Sequence, residues 1–244
     1  MNDTGAAGQA LDDAIENVYA IFARHQLPAD LTACDHCVSP EEVNLFRRTP
    51  LRQLSPDQLG VYLLNPGTFG DDTELPHLLP RLLELYARNQ MDGWSRPDAV
   101  TRRISSQWRD WSAAERAAVT RLLATWWRHM LHTFGGSNEA WYLLDAALDC
   151  GVDLTSYLAA FTEVGEVAAA RHLADILDWC VFSTVPDDDR STFQRWLAGD
   201  EPLAVLDAVA EHIADPAAAR EISRGREQAE ALRGWLREKG LRPD

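Results

Sequence analysis

Lysine and β-branched residues are both scarce in this chain of 244 residues. Lys239 is the only lysine, so arginine supplies almost all of the 23 basic side chains. Together with the many alanines, this usage is typical of a high-GC bacterial genome, and we expect a bacterial source. Valine and isoleucine number 19, whereas alanine and leucine number 65. Because β-branched side chains lose χ1 freedom on a helix, this imbalance favours helices over strands.

Cysteine and long apolar runs are scarce as well. Four cysteines are too few for a disulfide scaffold in a chain of this length. The first ten residues, MNDTGAAGQA, have neither the basic nor the apolar region of a signal peptide. No stretch approaches the 18 consecutive apolar residues of a membrane span. We therefore expect a reduced, cytoplasmic protein with no membrane partner.

Positive charge is in deficit, and the formal net charge is −15. Such a surface repels phosphate backbones, so the charge predicts no nucleic-acid partner. One segment opposes this trend, because arginines alternate there with tryptophans: Arg96, Arg102, Arg103, Trp108, Arg109 and Trp111. We interpret it as core tryptophans with arginines extending to solvent. The alternative is an anion-binding surface around Arg102 and Arg103.

Local signals for helices are strong. Capping boxes begin at Ser39, Ser55 and Ser112, where a Glu or Gln follows three residues later. After Ser112, apolar residues recur at helical spacing and predict a core helix that ends at Gly135-Gly136. Further helices are expected near 10–25, 81–90, 137–150, 154–162, 166–182, 189–198, 201–213 and 216–239. The predicted fold is all-α, a multi-helix bundle or an irregular, HEAT-like α-solenoid, without a substantial β-sheet.

Composition changes once along the chain. Seven of the twelve prolines lie between Pro28 and Pro80, and no alanine occurs between Ala33 and Ala87. We therefore expect a disordered terminus over 1–9, a short-helix region over 10–92 and an Ala-rich helical region over 93–244. No flexible linker separates the last two, so they are expected to form one continuous body. Pro80 is expected to kink or restart a helix.

One ordered set of motifs stands out. Cys34-x-x-Cys37 precedes Thr68-Phe69-Gly70-Asp71, which leads into the run from His77 to Leu85, HLLPRLLEL. This order resembles a family of uncharacterised bacterial proteins with an N-terminal CxxC and a T-[WF]-G-D-x-x-[DE]-x-x-H-[FL]-L-P-R-L-L-E-L run. Phenylalanine stands here for the usual tryptophan, and leucine for the usual phenylalanine. The resemblance covers about a fifth of the chain and carries no known activity.

The CxxC is the best candidate for metal or redox chemistry. Two thiolates at this spacing can bind one zinc ion, and two further ligands would complete a tetrahedral shell. His36, Asp71 and His77 are the candidates for these ligands if the acidic loop folds back over Cys34 and Cys37. In the redox alternative, a helix beginning after Cys37 depresses the pKa of its thiol. Plain structural thiols are the third alternative. We expect Cys180 to be a core thiol.

Other groups that could bind metals match ordinary structural roles better. They are Glu74 with His77, His129 with His132, Asp12 and Asp13 with Glu16, and Asp187 to Asp189. The first lacks the second motif of a di-iron bundle. We interpret the two histidines as solvated or salt-bridged, and the acidic groups as solvated or capping side chains. No GxSxG, P-loop, GxGxxG, HExxH or EF-hand motif occurs.

The sequence predicts a protein-interaction or scaffolding module more than an enzyme. No catalytic residue and no certain cofactor are predicted, and zinc is the candidate. The alternative is a metal-binding or thiol-based enzyme or sensor centred on the CxxC and the loop from Gly70 to His77. The last helix carries a narrow apolar stripe at Ile222, Ala229, Leu232 and Leu236. We expect it to dock on its own domain, with a homodimer contact as the alternative.

Overall fold

A computed structural model describes residues 3–28, 31, 33–34, 36–64, 68–91, 97–135, 139–182 and 190–240. These residues form an all-α, multi-helix fold, as predicted, with a single antiparallel bridge between Ala33 and Phe69 as their only strand-like pairing. The twelve α-helices are α1 (Asp3–Phe22), α2 (Pro40–Arg48), α3 (Pro56–Leu64), α4 (Leu75–Ala87), α5 (Pro97–Gln107), α6 (Ala113–Leu131), α7 (Glu139–Asp149), α8 (Thr155–Val164), α9 (Val167–Phe182), α10 (Arg190–Ala198), α11 (Glu201–Ala210) and α12 (Pro216–Glu238). A 3-10 turn, Leu51–Gln53, lies between α2 and α3.

The chain divides into two compact units. The N-terminal unit comprises Gln9–Leu123, and the C-terminal unit comprises Ala124–Asp244 with Met1–Gly8. The division falls inside α6 and not at the change of composition near residues 91–93. The single continuous body expected from the sequence stays a prediction.

The disorder expected over residues 1–9 is wrong for its described part, because α1 begins at Asp3. An acidic residue at the start of the helix and the alanines that follow it favour the helical conformation. Near the C-terminal end of α1, Val18 and Phe22 are buried in the N-terminal unit.

The restart expected at Pro80 is absent, because α4 starts at Leu75 and continues through this proline to Ala87. The alternative, a kink at Pro80, stays a prediction. A proline inside a helix removes one hydrogen bond, here the bond to the carbonyl of Pro76. Pro80 and the leucines on both sides of it are buried. Packing of this almost wholly buried helix therefore outweighs the local cost of proline.

The three capping boxes are present. The hydroxyl groups of Ser39, Ser55 and Ser112 each accept a hydrogen bond from the backbone N–H three residues later, over 3.2 Å in each case. The corresponding Glu or Gln side chain accepts from the serine N–H in return. The stripe predicted on α6 is buried, although the helix ends at Leu131 and not at Gly135-Gly136.

The C-terminal unit is organised around α9, which packs against α7, α8, α11 and α12. Its packing on α12 is the most extensive of these. Because α12 packs on α9 and not only on the helix before it, the contact favours a closed bundle over a linear array of repeats. Helix α12 docks on its own unit, as expected, and buries Ile222 and Leu236. A homodimer contact through this helix stays a prediction. No helix in the described ranges combines the length and the apolar character that a membrane span requires.

Candidate functional site

The CxxC forms a tight turn just ahead of α2. The backbone N–H groups of Cys37 and Val38 both donate to the carbonyl of Cys34, over 2.9 and 3.0 Å. The N–H of Cys34 donates to the carbonyl of Thr68 over 2.8 Å, beside the bridge between Ala33 and Phe69. The start of the CxxC turn is therefore joined to the loop that carries Gly70 and Asp71.

The loop of residues 68–74 is held by close packing and by hydrogen bonds between its own residues. Gly70 has φ +69°, and a Cβ atom there would lie 2.9 Å from the ring of Tyr62. Both features exclude a larger residue. The buried carboxylate of Glu74 accepts from the N–H of Asp71 over 2.6 Å, and the carboxylate of Asp71 accepts from the N–H of Thr73 over 2.7 Å. These hydrogen bonds give the Gly70-Asp71 motif a structural role, which is to hold the loop in its conformation.

Arg103 of α5 fastens the same loop. Its guanidinium group lies 4.4 Å from the centre of the Tyr62 ring and donates to the Tyr62 hydroxyl, the Asp71 carbonyl and the Asp72 carboxylate. Its hydrogen bonds are thus made within the unit, which weakens the anion-binding alternative at this residue. Trp111 is buried, as expected of a core tryptophan.

The two thiols of the CxxC interact with each other and form no disulfide. Cys37 is exposed and Cys34 is half-buried. The hydrogen bond with Cys34, and the charge that Cys34 would carry as a thiolate, raise the pKa of Cys37. The pKa of Cys37 is therefore raised and not lowered as the start of α2 predicted, and the interaction with Cys34 is the main cause.

The structure separates the other predicted ligands into different environments. His36 is exposed beside the thiols, whereas Asp71 is engaged with Thr73. His77 lies in the first turn of α4, where its Nδ1 is 3.0 Å from the backbone carbonyl of His25. Among the described residues no group of three or more His, Cys, Asp and Glu side chains is arranged to hold a metal ion. A zinc site built from these five residues stays a prediction.

His25 and its partner Glu115 were missed by the sequence analysis. Nε2 of His25 lies 2.5 Å from the carboxylate of Glu115, which also accepts from Arg24 and from Ser112. Burial alone would raise the pKa of Glu115, but these hydrogen bonds outweigh it and lower the pKa to about 2. Glu115 is therefore a buried carboxylate anion. Its capping box was visible in the sequence, but nothing local indicated a histidine 90 positions away.

A cavity of about 440 Å³ is lined by both His25 and His77. This volume is that of a small-molecule or ion site. Its walls are Tyr19, Phe22, Ala23, His25, Gln26, Pro50, Leu51, Arg52, Gln53, His77 and Pro80. Arg52 stacks 3.6 Å above the Tyr19 ring and pairs with Glu16, so its charge is balanced.

The remaining candidates have ordinary structural partners. Glu16 pairs with Arg52, and Asp12 pairs with Arg88 over 2.9 Å. In the C-terminal unit, Nδ1 of His132 lies 2.9 Å from the Glu166 carboxylate. Asp187 to Asp189 and the side chain of Cys180 lie outside the described residues.

Comparisons with protein families, with curated proteins and with solved structures gave no match for this chain. The candidate sites therefore depend on their own geometry.

Proposed function

We propose that Cys34 and Cys37 form a redox-active dithiol that exchanges with disulfides. The observation that carries this proposal is the contact between two free thiols on one tight turn, one of them exposed. Thiols in contact can join as a disulfide with little movement of the backbone. The family resemblance adds no activity, so the proposal depends on the turn itself.

The pKa of Cys37 indicates the order of the steps. Because the hydrogen bond with Cys34 raises the pKa of Cys37, we assign the proton of the pair to Cys37 and the thiolate to Cys34. The Cys34 thiolate then attacks one sulfur of an external disulfide, which forms a mixed disulfide and releases one thiolate. Cys37 loses its proton and attacks Cys34, which closes the internal disulfide and releases the second thiolate. The external disulfide is reduced by two electrons and the CxxC is oxidised by two.

A third thiol, that of Cys150, differs from the CxxC thiols in its reactivity. Cys150 is buried at the end of α7, and burial raises its pKa to about 12. Such a thiol is inert at neutral pH, since the thiolate is the nucleophile. A dithiol can exchange with disulfides in reducing and in oxidising compartments, so the cytoplasmic location that we propose depends on the sequence alone.

Equilibration of the full-length protein with glutathione buffers tests the proposal. We expect an internal disulfide between Cys34 and Cys37, detected as protection from alkylation and mapped by peptide mass spectrometry. Its midpoint potential should lie between about −270 and −120 mV, where exchanging dithiols are found. Oxidised glutathione should form a lasting adduct on Cys34 in Cys37→Ser.

The matched control is Cys150→Ser, which should leave the potential and the oxidation product unchanged. Failure of oxidised glutathione to close the disulfide in the folded wild-type protein would overturn the proposal. So would alkylation of Cys34 and Cys37 at the rate and pH dependence of an isolated cysteine.

The protein-interaction role predicted from the sequence stays a prediction. In the described part of the chain, the exposed large apolar side chains are Leu45, Val61 and Trp235, on α2, α3 and α12. Single exposed apolar residues are common on soluble proteins and define no docking surface. We therefore assign no protein partner from them.

A further inference from the structure

The structure brings together two histidines that are 52 positions apart in the sequence, at one cavity of the N-terminal unit. We propose that His25 and His77 bind a divalent transition-metal ion such as Zn²⁺ or Co²⁺ there, independently of the CxxC. This site differs from the zinc site predicted from the sequence, because it needs neither thiol and includes a histidine that was not a candidate.

The tautomer of His77 is fixed by the backbone. Its Nδ1 lies 3.0 Å from the carbonyl oxygen of His25, and a carbonyl can only accept a hydrogen bond. Nδ1 therefore carries the hydrogen, and Nε2 keeps the lone pair. A histidine that donates one N–H to a backbone carbonyl and presents the other nitrogen is the usual form of a metal ligand.

His25 is held in the corresponding way by a carboxylate. Its Nε2 lies 2.5 Å from the carboxylate of Glu115, which also accepts hydrogen bonds from Arg24 and Ser112. In the neutral ring the lone pair is then on Nδ1. Carboxylates in this position orient the histidine and increase its basicity toward a metal.

The surroundings favour a cation with imidazole ligands over an anion. His25 and His77 both line the same cavity of about 440 Å³. With the hydrogen bonds described above, each neutral ring keeps a lone pair on its second nitrogen. The nearest guanidinium groups are already paired, Arg24 with Glu115 and Arg52 with Glu16. Imidazole nitrogen suits zinc, cobalt, nickel and copper, whereas magnesium and calcium prefer oxygen. With two protein ligands, water would occupy the other positions and the metal would exchange.

The experiment uses the full chain without an affinity tag and with both CxxC thiols replaced, as Cys34→Ser/Cys37→Ser. Titration with Zn²⁺ by calorimetry, and with Co²⁺ by visible spectroscopy, should show one bound ion per chain. In this background, His25→Gln and His77→Gln should each weaken binding by at least about tenfold. The matched control is His36→Gln, an exposed histidine beside the CxxC, which should not change the affinity.

A second measurement does not depend on the folding of the histidine variants. Nitrogen-15 NMR of the Cys34→Ser/Cys37→Ser chain should show Zn²⁺-dependent shifts at Nδ1 of His25 and Nε2 of His77. The proposal is overturned if this chain binds no metal up to about 1 mM. It is also overturned if these two nitrogens do not respond to bound zinc, or if both histidine variants fold and bind as tightly as their parent. Each of these results leaves the dithiol proposal unaffected.

Discussion

The two units bury polar groups in different ways. The buried polar side chains described in the N-terminal unit are Glu74, Thr101 and Glu115, and the two glutamates hold loop or helix-start N–H groups. In the C-terminal unit the corresponding residue is His172, which is fully buried on α9. Its Nε2 lies 2.8 Å from the carbonyl of Thr133, but its Nδ1 has no hydrogen-bond partner.

The difference follows from the lengths of the elements. Between α1 and α6, the N-terminal unit joins short helices by proline-rich segments, which leave many backbone groups to be satisfied. Side-chain carboxylates supply these hydrogen bonds and fix the loops that carry the candidate sites. In the C-terminal unit, the long Ala-rich helices α9 and α12 satisfy their own backbone and are held by close apolar packing.

Replacement of Glu115 should have the largest effect. Glu115→Ala removes the hydrogen-bond partner of Arg24, His25 and Ser112 at once. The carboxylate is buried but Arg24 is exposed, so we expect a loss of about 1.5–3 kcal/mol, the range for hydrogen bonds to a charged group. The matched control is Glu163→Ala, whose exposed pair with Arg128 should contribute less than about 1 kcal/mol. Urea denaturation of the full chain measures both. Equal losses would contradict the importance that we assign to buried carboxylates.

Replacement of Gly70 should have the second largest effect on stability. Gly70→Ala adds the cost of a left-handed backbone, about 1–2 kcal/mol, to an overlap with the Tyr62 ring. Gly151→Ala shares the positive φ, but its Cβ atom would meet nothing within 4 Å. We expect Gly70→Ala to lower the free energy of unfolding more than Gly151→Ala does, and to change the alkylation rate of Cys34. An equal loss of unfolding free energy in both variants would contradict the overlap that we expect between the added Cβ atom and the Tyr62 ring.

Close packing in the C-terminal unit predicts a third effect, on one helix. A Cβ atom at Gly225 of α12 would lie 2.5 Å from the Cβ atom of Ala174 on α9. Gly225→Ala should therefore destabilise the chain by about 1–3 kcal/mol through overpacking. At Gly234, on the same helix, an added Cβ atom meets nothing, so Gly234→Ala should stabilise by about 0.5–1 kcal/mol. Chemical denaturation that gives both variants the same sign would contradict this packing.

Acid should reveal the difference between the units in separate pH ranges. Burial lowers the pKa of His172, so the unfolded chain takes up a proton near pH 6.5 that the folded chain does not. Stability should therefore fall as the pH decreases below 6.5, by at most about 1.4 kcal/mol per pH unit. His172→Leu should remove this loss of stability, whereas replacement of the exposed His212 in His212→Gln should not.

The low pKa of Glu115 gives a loss in a lower range. Its contribution to stability is present above pH 4.5 and is lost as the pH falls toward 2. Denaturation at a series of pH values measures both ranges. A flat profile between pH 6.5 and 4.5 would contradict the neutral state of buried His172.

The fold was largely predictable because its signals are local. The serine caps before α2, α3 and α6 and the apolar stripe on α6 use residues no more than a few turns apart. The errors occurred where packing opposed propensity, as at Pro80, or where a neighbouring side chain opposed a general rule, as at Cys37. For the candidate site, the sequence offered His77 and the CxxC but gave no sign of His25 or Glu115, and the zinc site that it suggested stays a prediction.

By itself the sequence determined the helical class and most helix limits, since each depends on bonds between near neighbours. Tertiary structure decided that His77 meets His25 and that His25 meets Glu115. These contacts join α4, the end of α1 and the start of α6, and no periodicity along the chain encodes them. They form because the buried faces of these helices pack together, and burial leaves each polar group with only the partners that packing provides.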